Sequence, residues 1–336
     1  MTYAKHTSSV SYRVRSPKAH VKIYHGFGHT HDMIIFGHVF NHSTKYAASH
    51  VRNPLRNVWR MLRLFFVRPL PDVKVMLQWN NAVISSLTET DGFFRIDWKS
   101  DTEVHAGWHQ VMVKAGDSTN GIVGQGLVFV PHKTQFGFIS DIDDTIMVSH
   151  SGTVWQRMKT LLFNSPHTRK IFPDVALHYS MLSAAHTTPE APNPFFYVSS
   201  SEWNLYDYLV DVFRFRKLPE GAFLLNQIKR WYEILKTGKT KHQGKLLRIA
   251  RIFEAFPNQR FVLLGDNSQS DPDIYFKLAE KYGSRVHAVY IRVVNSRRLP
   301  VTEQTLQSLE EKGIKVCLFT HSAEAIAHSR AIGLIV

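Results

Sequence analysis

Cysteine is nearly absent: Cys317 stands alone in a chain of 336 residues. One thiol excludes an intramolecular disulfide framework and a multi-cysteine zinc site, and it fits a reducing compartment. Its surroundings, "IKVCLF", read as an apolar strand, so a structural thiol is expected there. The chain also lacks any apolar run of about 18 residues, which removes a membrane-spanning helix from the expectations. The first stretch, "MTYAKHTSSVSYRVRSPKAH", has no apolar core of the secretion-signal kind. A cytoplasmic protein is expected, with membrane contact limited to its periphery.

Acidic side chains are scarce beside basic ones, 27 against 41, and the formal charge is +14. Such a field attracts polyanions or an anionic bilayer. No nucleic-acid recognition module accompanies it, so nucleic acid is not an expected partner. No internal repeat and no low-complexity tract is visible.

The length suits two domains. After a tail at 1–19, residues 20–131 read as short strands: "HVKIYHG", "DMIIFGHVF", "DVKVMLQW", "FFRIDW", "WHQVMVKA" and "GLVFVP". In "DVKVMLQW" the residues Val73, Val75, Leu77 and Trp79 share one face, and Asp91-Gly92 is a hairpin turn signal. A small antiparallel β-sandwich is expected, its partner unknown. At about 52–68 the pattern changes: Arg52, Arg56, Arg60 and Arg63 recur at helical spacing beside Leu55, Val58, Trp59, Leu62 and Phe66. Such a helix fits an anionic membrane interface, or packs on the sandwich with a solvated arginine face. His25, His29 and His31 lie close together in sequence and read as a histidine-rich loop in preference to a metal site.

From 132 to 336 apolar strands alternate with helices, the signature of a parallel α/β sheet covered on both faces. A second apolar-basic run, Val154 to Phe163, falls in a small insertion at about 150–172. Ligands of such sheets bind at the carboxyl ends of the strands. Those ends carry the chemistry. "GFISDIDDT" ends in Asp141, Asp143, Asp144 and Thr145; "FFYVSS" ends in Ser199 and Ser200, with Ser201 next; "FVLLGDNSQSD" brings Asp266 and Asp271; Lys245 opens a helix. Two carboxylates at positions i and i+2, one as nucleophile and one as acid and then base, suit phosphoryl transfer. Asp266 and Asp271 complete an oxygen-rich shell for magnesium, and Lys245 with a seryl hydroxyl suits the phosphoryl oxygens. Asp144 reads as a turn residue, and Asp271 before Pro272 also fits a helix cap.

"DIDDT" resembles the DxDxT motif of the haloacid dehalogenase superfamily phosphatases, and a strand-end serine, a lysine and "GDxxxxD" follow in that superfamily's order. "SDIDDTI", "YVSSSEWNLYDYL" and "AFPNQRFVLLGDNSQSDPDIY" are more closely similar to the actin-patch phosphatidate phosphatases and their bacterial relatives, over about 134–336. The resemblance implies a Rossmannoid sheet with Asp141 as nucleophile and magnesium ligand. It implies Asp143 as acid/base and main-chain ligand, and Thr145 as support for that loop. Ser199 would bind phosphate, Lys245 would stabilise the intermediate, and Asp266 and Asp271 would serve the metal. Ser200 is the rival of Ser199, and Lys241 of Lys245. Asn267 and Glu202 depart from the family, where a serine and a proline are usual. The implied reaction is magnesium-dependent hydrolysis of phosphatidate, or of lysophosphatidate or diacylglycerol pyrophosphate, at a membrane surface. A phosphatase acting on a non-lipid ester or a phosphoprotein, and a non-catalytic membrane-associated scaffold, are the alternatives.

Overall fold

The computed structural model describes residues 19–29, 31–43, 59, 62–116, 121–134, 136–149, 166–228 and 241–336. The expected tail, the run Val154 to Phe163 and most of the basic helix at 52–68 lie outside the described residues. The chain divides into two compact units. One comprises Met1–Thr44, Val67–Glu103 and Trp108–Val128, and the other Lys45–Phe66, Val104–Gly107 and Phe129–Val336.

The first unit is a β-structure. Strands β1 (His20–Ile23), β2 (Gly26–Gly28), β3 (Asp32–Phe40), β4 (Lys74–Trp79), β5 (Ala82–Leu87), β6 (Phe93–Lys99), β7 (Gly107–Ala115) and β8 (Ile122–Val130) belong to one eight-stranded hydrogen-bonded sheet. Alternation buries Val73, Val75 and Leu77 and leaves Lys74 and Gln78 exposed, as a half-solvated strand requires. The turn at Asp91-Gly92 forms, with Phe93 N–H donating to Asp91 Oδ1 at 3.0 Å and Gly92 at φ 75°. It does not close a hairpin, because β5 pairs with β4 whereas β6 pairs antiparallel with β3. The glycine is needed for a close approach: an added Cβ would stand 2.8 Å from the Val39 carbonyl oxygen. His25 packs on Trp108, His29 faces Asp32 and His31 bonds the Ser100 carbonyl, so the three histidines have separate neighbours.

His38 on β3 is fully buried. Its Nδ1 meets the Tyr24 hydroxyl at 2.9 Å, its Nε2 has no hydrogen-bonding partner among the described residues, and its ring stacks on Phe40. Burial, reinforced by the charge of Lys22, pulls its pKa down to about 3. A histidine depressed in the folded state adds stability above its unfolded pKa, and this is lost as pH falls from about 6.5 towards 3, at about 1.4 kcal/mol per pH unit. Between pH 6.5 and 5 the wild type should therefore lose about 2 kcal/mol that a His38→Phe variant does not lose. Urea unfolding at the two pH values measures this, and equal losses in both proteins would refute it.

The second unit carries β9 (Phe136–Ser140), β10 (Phe195–Glu202), β11 (Gly221–Asn226), β12 (Arg260–Asp266), β13 (Val286–Arg292) and β14 (Lys315–Phe319). Its helices are α1 (Val175–Ser183), α2 (Tyr206–Phe215), α3 (Lys241–Ala255), α4 (Asp271–Tyr282), α5 (Leu299–Glu310) and α6 (Ser322–Ala331). The six strands pair in parallel in the order β11-β10-β9-β12-β13-β14. Every residue of β9 and β10 is buried, so both faces of the sheet are covered. The chain steps outward from β9 to β11, then returns to the other side of β9 for β12. That reversal opens a crevice at the carboxyl ends of β9, β10 and β12.

In α3 the residues Ile249, Ala250, Ile252 and Phe253 are buried while Leu247 is exposed, so the apolar stripe fixes the face on which Lys245 is presented. Leu64 and Phe65, from the end of the basic amphipathic stretch, are buried in this unit, and the Leu64 carbonyl accepts from Asn204 Nδ2 at 2.8 Å. Trp59 and Phe66 are exposed, with the Arg63 guanidinium 5.1 Å from the Trp59 ring centroid.

Candidate active site

The site begins where β9 stops. Asp141 N–H still donates to the Leu264 carbonyl of β12 at 2.9 Å, and then the chain curls. Ile142 and Ile146, both fully buried, anchor the curl from below, and the Ile142 carbonyl accepts from the N–H groups of Ile146 and Met147 at 3.0 Å. Asp144 takes the left-handed conformation at φ 64° and its carboxylate accepts from Ser149 N–H at 2.8 Å, so it serves the turn. Asp141, Asp143 and Thr145 are thereby left at the crevice. Thr145 Oγ1 donates to Asp141 Oδ2 at 3.2 Å. The Thr145 carbonyl is held by Arg292 Nε at 3.0 Å, and that guanidinium lies against the rings of Phe172 and Phe319.

Lys245, in the first turns of α3, donates to Asp141 Oδ1 at 2.6 Å and to Asp271 Oδ1. Lys241 opens the same helix, and its side chain is outside the described residues. Asp271 is the first residue of α4, directly after the N-cap Ser270. Its second oxygen accepts from Asp266 N–H at 3.4 Å, while Asp266 Oδ1 accepts from Ser268 N–H at 2.5 Å. Gly265 permits this packing, because an added Cβ would stand 2.5 Å from Asp271 Oδ2.

Asp141, Asp266 and Asp271 thus bring one carboxylate oxygen each within 4.8 Å of one another, all buried. Burial raises the Asp141 carboxyl well above its ordinary range; Lys245 opposes this, while Asp271, Asp266 and Asp143 add to it. Burial and then Asp271 push Asp266 up to about 7. For Lys245 burial acts downward, yet Asp141 and Asp271 outweigh it and raise the ammonium pKa. One ammonium against three close carboxylates leaves a deficit of positive charge in a hard-oxygen donor set, which fits a divalent cation.

Asp143 is held by a different group. Ser149 donates to its Oδ1 at 2.6 Å; Ser201 and Ser199 donate to its Oδ2 at 2.9 and 3.2 Å. Arg169, only 1% exposed, donates to Ser149 Oγ at 2.6 Å and stands 3.9 Å from Asp143. The structure therefore turns Ser199 towards Asp143, and its Oγ also accepts from Ser201 N–H at 2.9 Å. Ser200 is 9% exposed and has no hydrogen-bonding partner for its side chain among the described residues. Asn267 is buried and pins the loop after β13: its side chain accepts from the N–H groups of Val294 and Asn295 and donates to the Asn295 carbonyl. Glu202 closes β10 and is buried.

The partners missed from sequence are Ser149, Arg169 and Arg292, with Ser201 recognised only as part of a serine run. Ser149 lies six residues after Asp143 and could have been suspected. Arg169 and Arg292 lie 20 and 147 residues from the groups they bond, with no local signal.

Comparison with known proteins bears on this segment. Residues 136–293 match the family described as phosphatidate phosphatase APP1, catalytic domain. The chain is 28% identical over 178 residues to phosphatidate phosphatase APP1 of Saccharomyces cerevisiae, an alignment covering 52% of this chain and 29% of that protein. Among solved structures, a carbohydrate acetylesterase from Xanthomonas citri aligns over 79% of this chain and 65% of its own, at 9% identity and a TM-score of 0.26. A β-glucuronidase from Parabacteroides merdae aligns over 90% of this chain and 38% of its own, at 6% identity and a TM-score of 0.24. Likeness at that level carries no argument about the fold. The sequence match, by contrast, spans Asp141, Lys245, Asp266, Asp271 and Arg292, and residues 136–293 of the chain are similar to the phosphatidate phosphatase APP1 catalytic-domain family.

Proposed function

We propose that the chain is a magnesium-dependent phosphatidate phosphatase of the haloacid dehalogenase type, with a catalytic domain at about 132–336 preceded by a sandwich-type β-domain. The observation that carries this reading is the set of three buried carboxylates around Lys245, inside the segment that matches the family. Asp141 attacks phosphorus, so that an Oδ–P bond forms as the bond to the glycerol oxygen breaks. Asp143 gives its proton to the departing diacylglycerol oxygen. It then takes a proton from the water that attacks phosphorus, the Oδ–P bond breaks, and phosphate leaves with Asp141 regenerated. Ser199, Ser200 and Lys245 hold phosphoryl oxygens, and Thr145 steadies Asp141. Asp141, Asp143, Asp266 and Asp271 would hold Mg2+, which supplies positive charge against the repulsion between carboxylate and phosphate.

Peripheral docking to an anionic bilayer is supported by exposed Trp59, Arg63 and Phe66, carried in the catalytic unit by the Asn204–Leu64 hydrogen bond. No helix among the described residues is long and apolar enough to cross a membrane. The test is phosphate release from phosphatidate in mixed micelles. Release that requires Mg2+ is expected. Release from a soluble ester or a phosphopeptide but not from phosphatidate would move the substrate to those classes, and inertness on all of them would favour a scaffold.

A further inference from the structure

The helix that supplies Lys245 carries a second cation, to which the proposed hydrolysis gives no role. Arg248 follows three residues later and so leaves α3 on the same side. Side chains on a helix slant back towards its N-terminus. The guanidinium does so here: a Cβ added at Gly244 would stand 3.3 Å from Arg248 Nη1. Nη2 donates to the Ser199 main-chain carbonyl at 3.2 Å, at the end of β10 where the serines meet Asp143. Nε is buried and has no acceptor among the described residues. No carboxylate pairs with this guanidinium among the described residues. Burial, then the like charge of Arg251, lowers its pKa to about 10.

A partly buried cation without a counter-charge is costly, and one hydrogen bond to a carbonyl asks only for a neutral donor. What needs a guanidinium is an oxyanion, whose oxygens match its planar fork. We propose that Arg248 is an anion-binding residue of this site, taking a non-bridging phosphate oxygen beside the Ser199 carbonyl while Lys245 serves the Asp141 end. Phosphate as the ligand follows from the proposed phosphatase activity, but the binding can be read without turnover.

Inorganic phosphate is titrated calorimetrically into the wild type, Arg248→Gln and Arg248→Lys in magnesium buffer, and KM and kcat are measured for each on a soluble phosphate ester. Arg248→Gln is expected to weaken phosphate about tenfold and to raise KM more than it lowers kcat, and Arg248→Lys to recover part of the affinity. Wild-type affinity in Arg248→Gln overturns the proposal, even if the variant melts earlier, because that outcome marks a structural arginine. A wild type that binds no millimolar phosphate overturns it together with the phosphatase reading. Binding weakened by the substitution, in a protein that hydrolyses no ester, leaves the anion site standing and removes only the activity.

Discussion

Asp141→Asn is expected to reduce phosphate release on the order of 1000-fold or more, since the group that forms the covalent bond is removed and the remaining site cannot replace it. The same change should not lower the melting temperature in magnesium-free buffer. Asp141 is 3% exposed, and burial together with Asp271, Asp266 and Asp143 raises its pKa. A carboxyl whose folded pKa lies above its unfolded value costs stability once pH rises past the unfolded value, so a neutral amide removes that cost. The asparagine oxygen still accepts from Lys245, which keeps its second bond, to Asp271. Thermal melts and phosphate assays on one preparation separate the outcomes. Full activity would exclude Asp141 as nucleophile, and a collapsed melt would assign lost activity to unfolding.

Much of this site is legible in the chain because it is built from strand ends. An apolar run long enough to be a buried strand, followed at once by "DIDDT", places Asp141 and Asp143 at the carboxyl edge of a parallel sheet before any coordinates are known. "GDNSQSD" does the same for Asp266 and Asp271. The lysine is legible from the stripe Ile249, Ala250 and Phe253, which orients α3. What was not legible depends on pairing between distant segments. The stretch around Leu64 follows β-strands in sequence, yet its carbonyl is bonded by Asn204, 140 residues away, within the catalytic unit. Likewise Asp91-Gly92 is a good turn signal, but which strand β6 joins is decided by its register with β3. The serines were legible as a run. That Ser199 and Ser201 both donate to Asp143 depends on where the curl after β9 sets that carboxylate.

Lys245→Met should have the largest effect on stability. The Lys245, Asp141 and Asp271 side chains are 6%, 4% and 1% exposed. Removing one partner from a buried ion network costs about 3–5 kcal/mol, because the carboxylates left behind have neither water nor a counter-charge. For a domain of this size that lowers the melting temperature by roughly 6–20 °C. A divalent cation supplies charge at the same oxygens, so magnesium should raise the melting temperature of the variant more than that of the wild type; at one hundred times its Kd a ligand adds about 2.7 kcal/mol. Activity should not return with stability, since magnesium cannot donate the hydrogen bond that Lys245 gives to Asp141. Thermal melts of both proteins with and without magnesium test the two roles. A Lys245→Met variant as stable as wild type would deny the lysine its place as counter-charge. Melting curves of both proteins unmoved by magnesium would deny the carboxylates theirs as a cation site, and the like-charge repulsion facing Asp141 would then have to be relieved by Lys245 and its neighbouring cations alone.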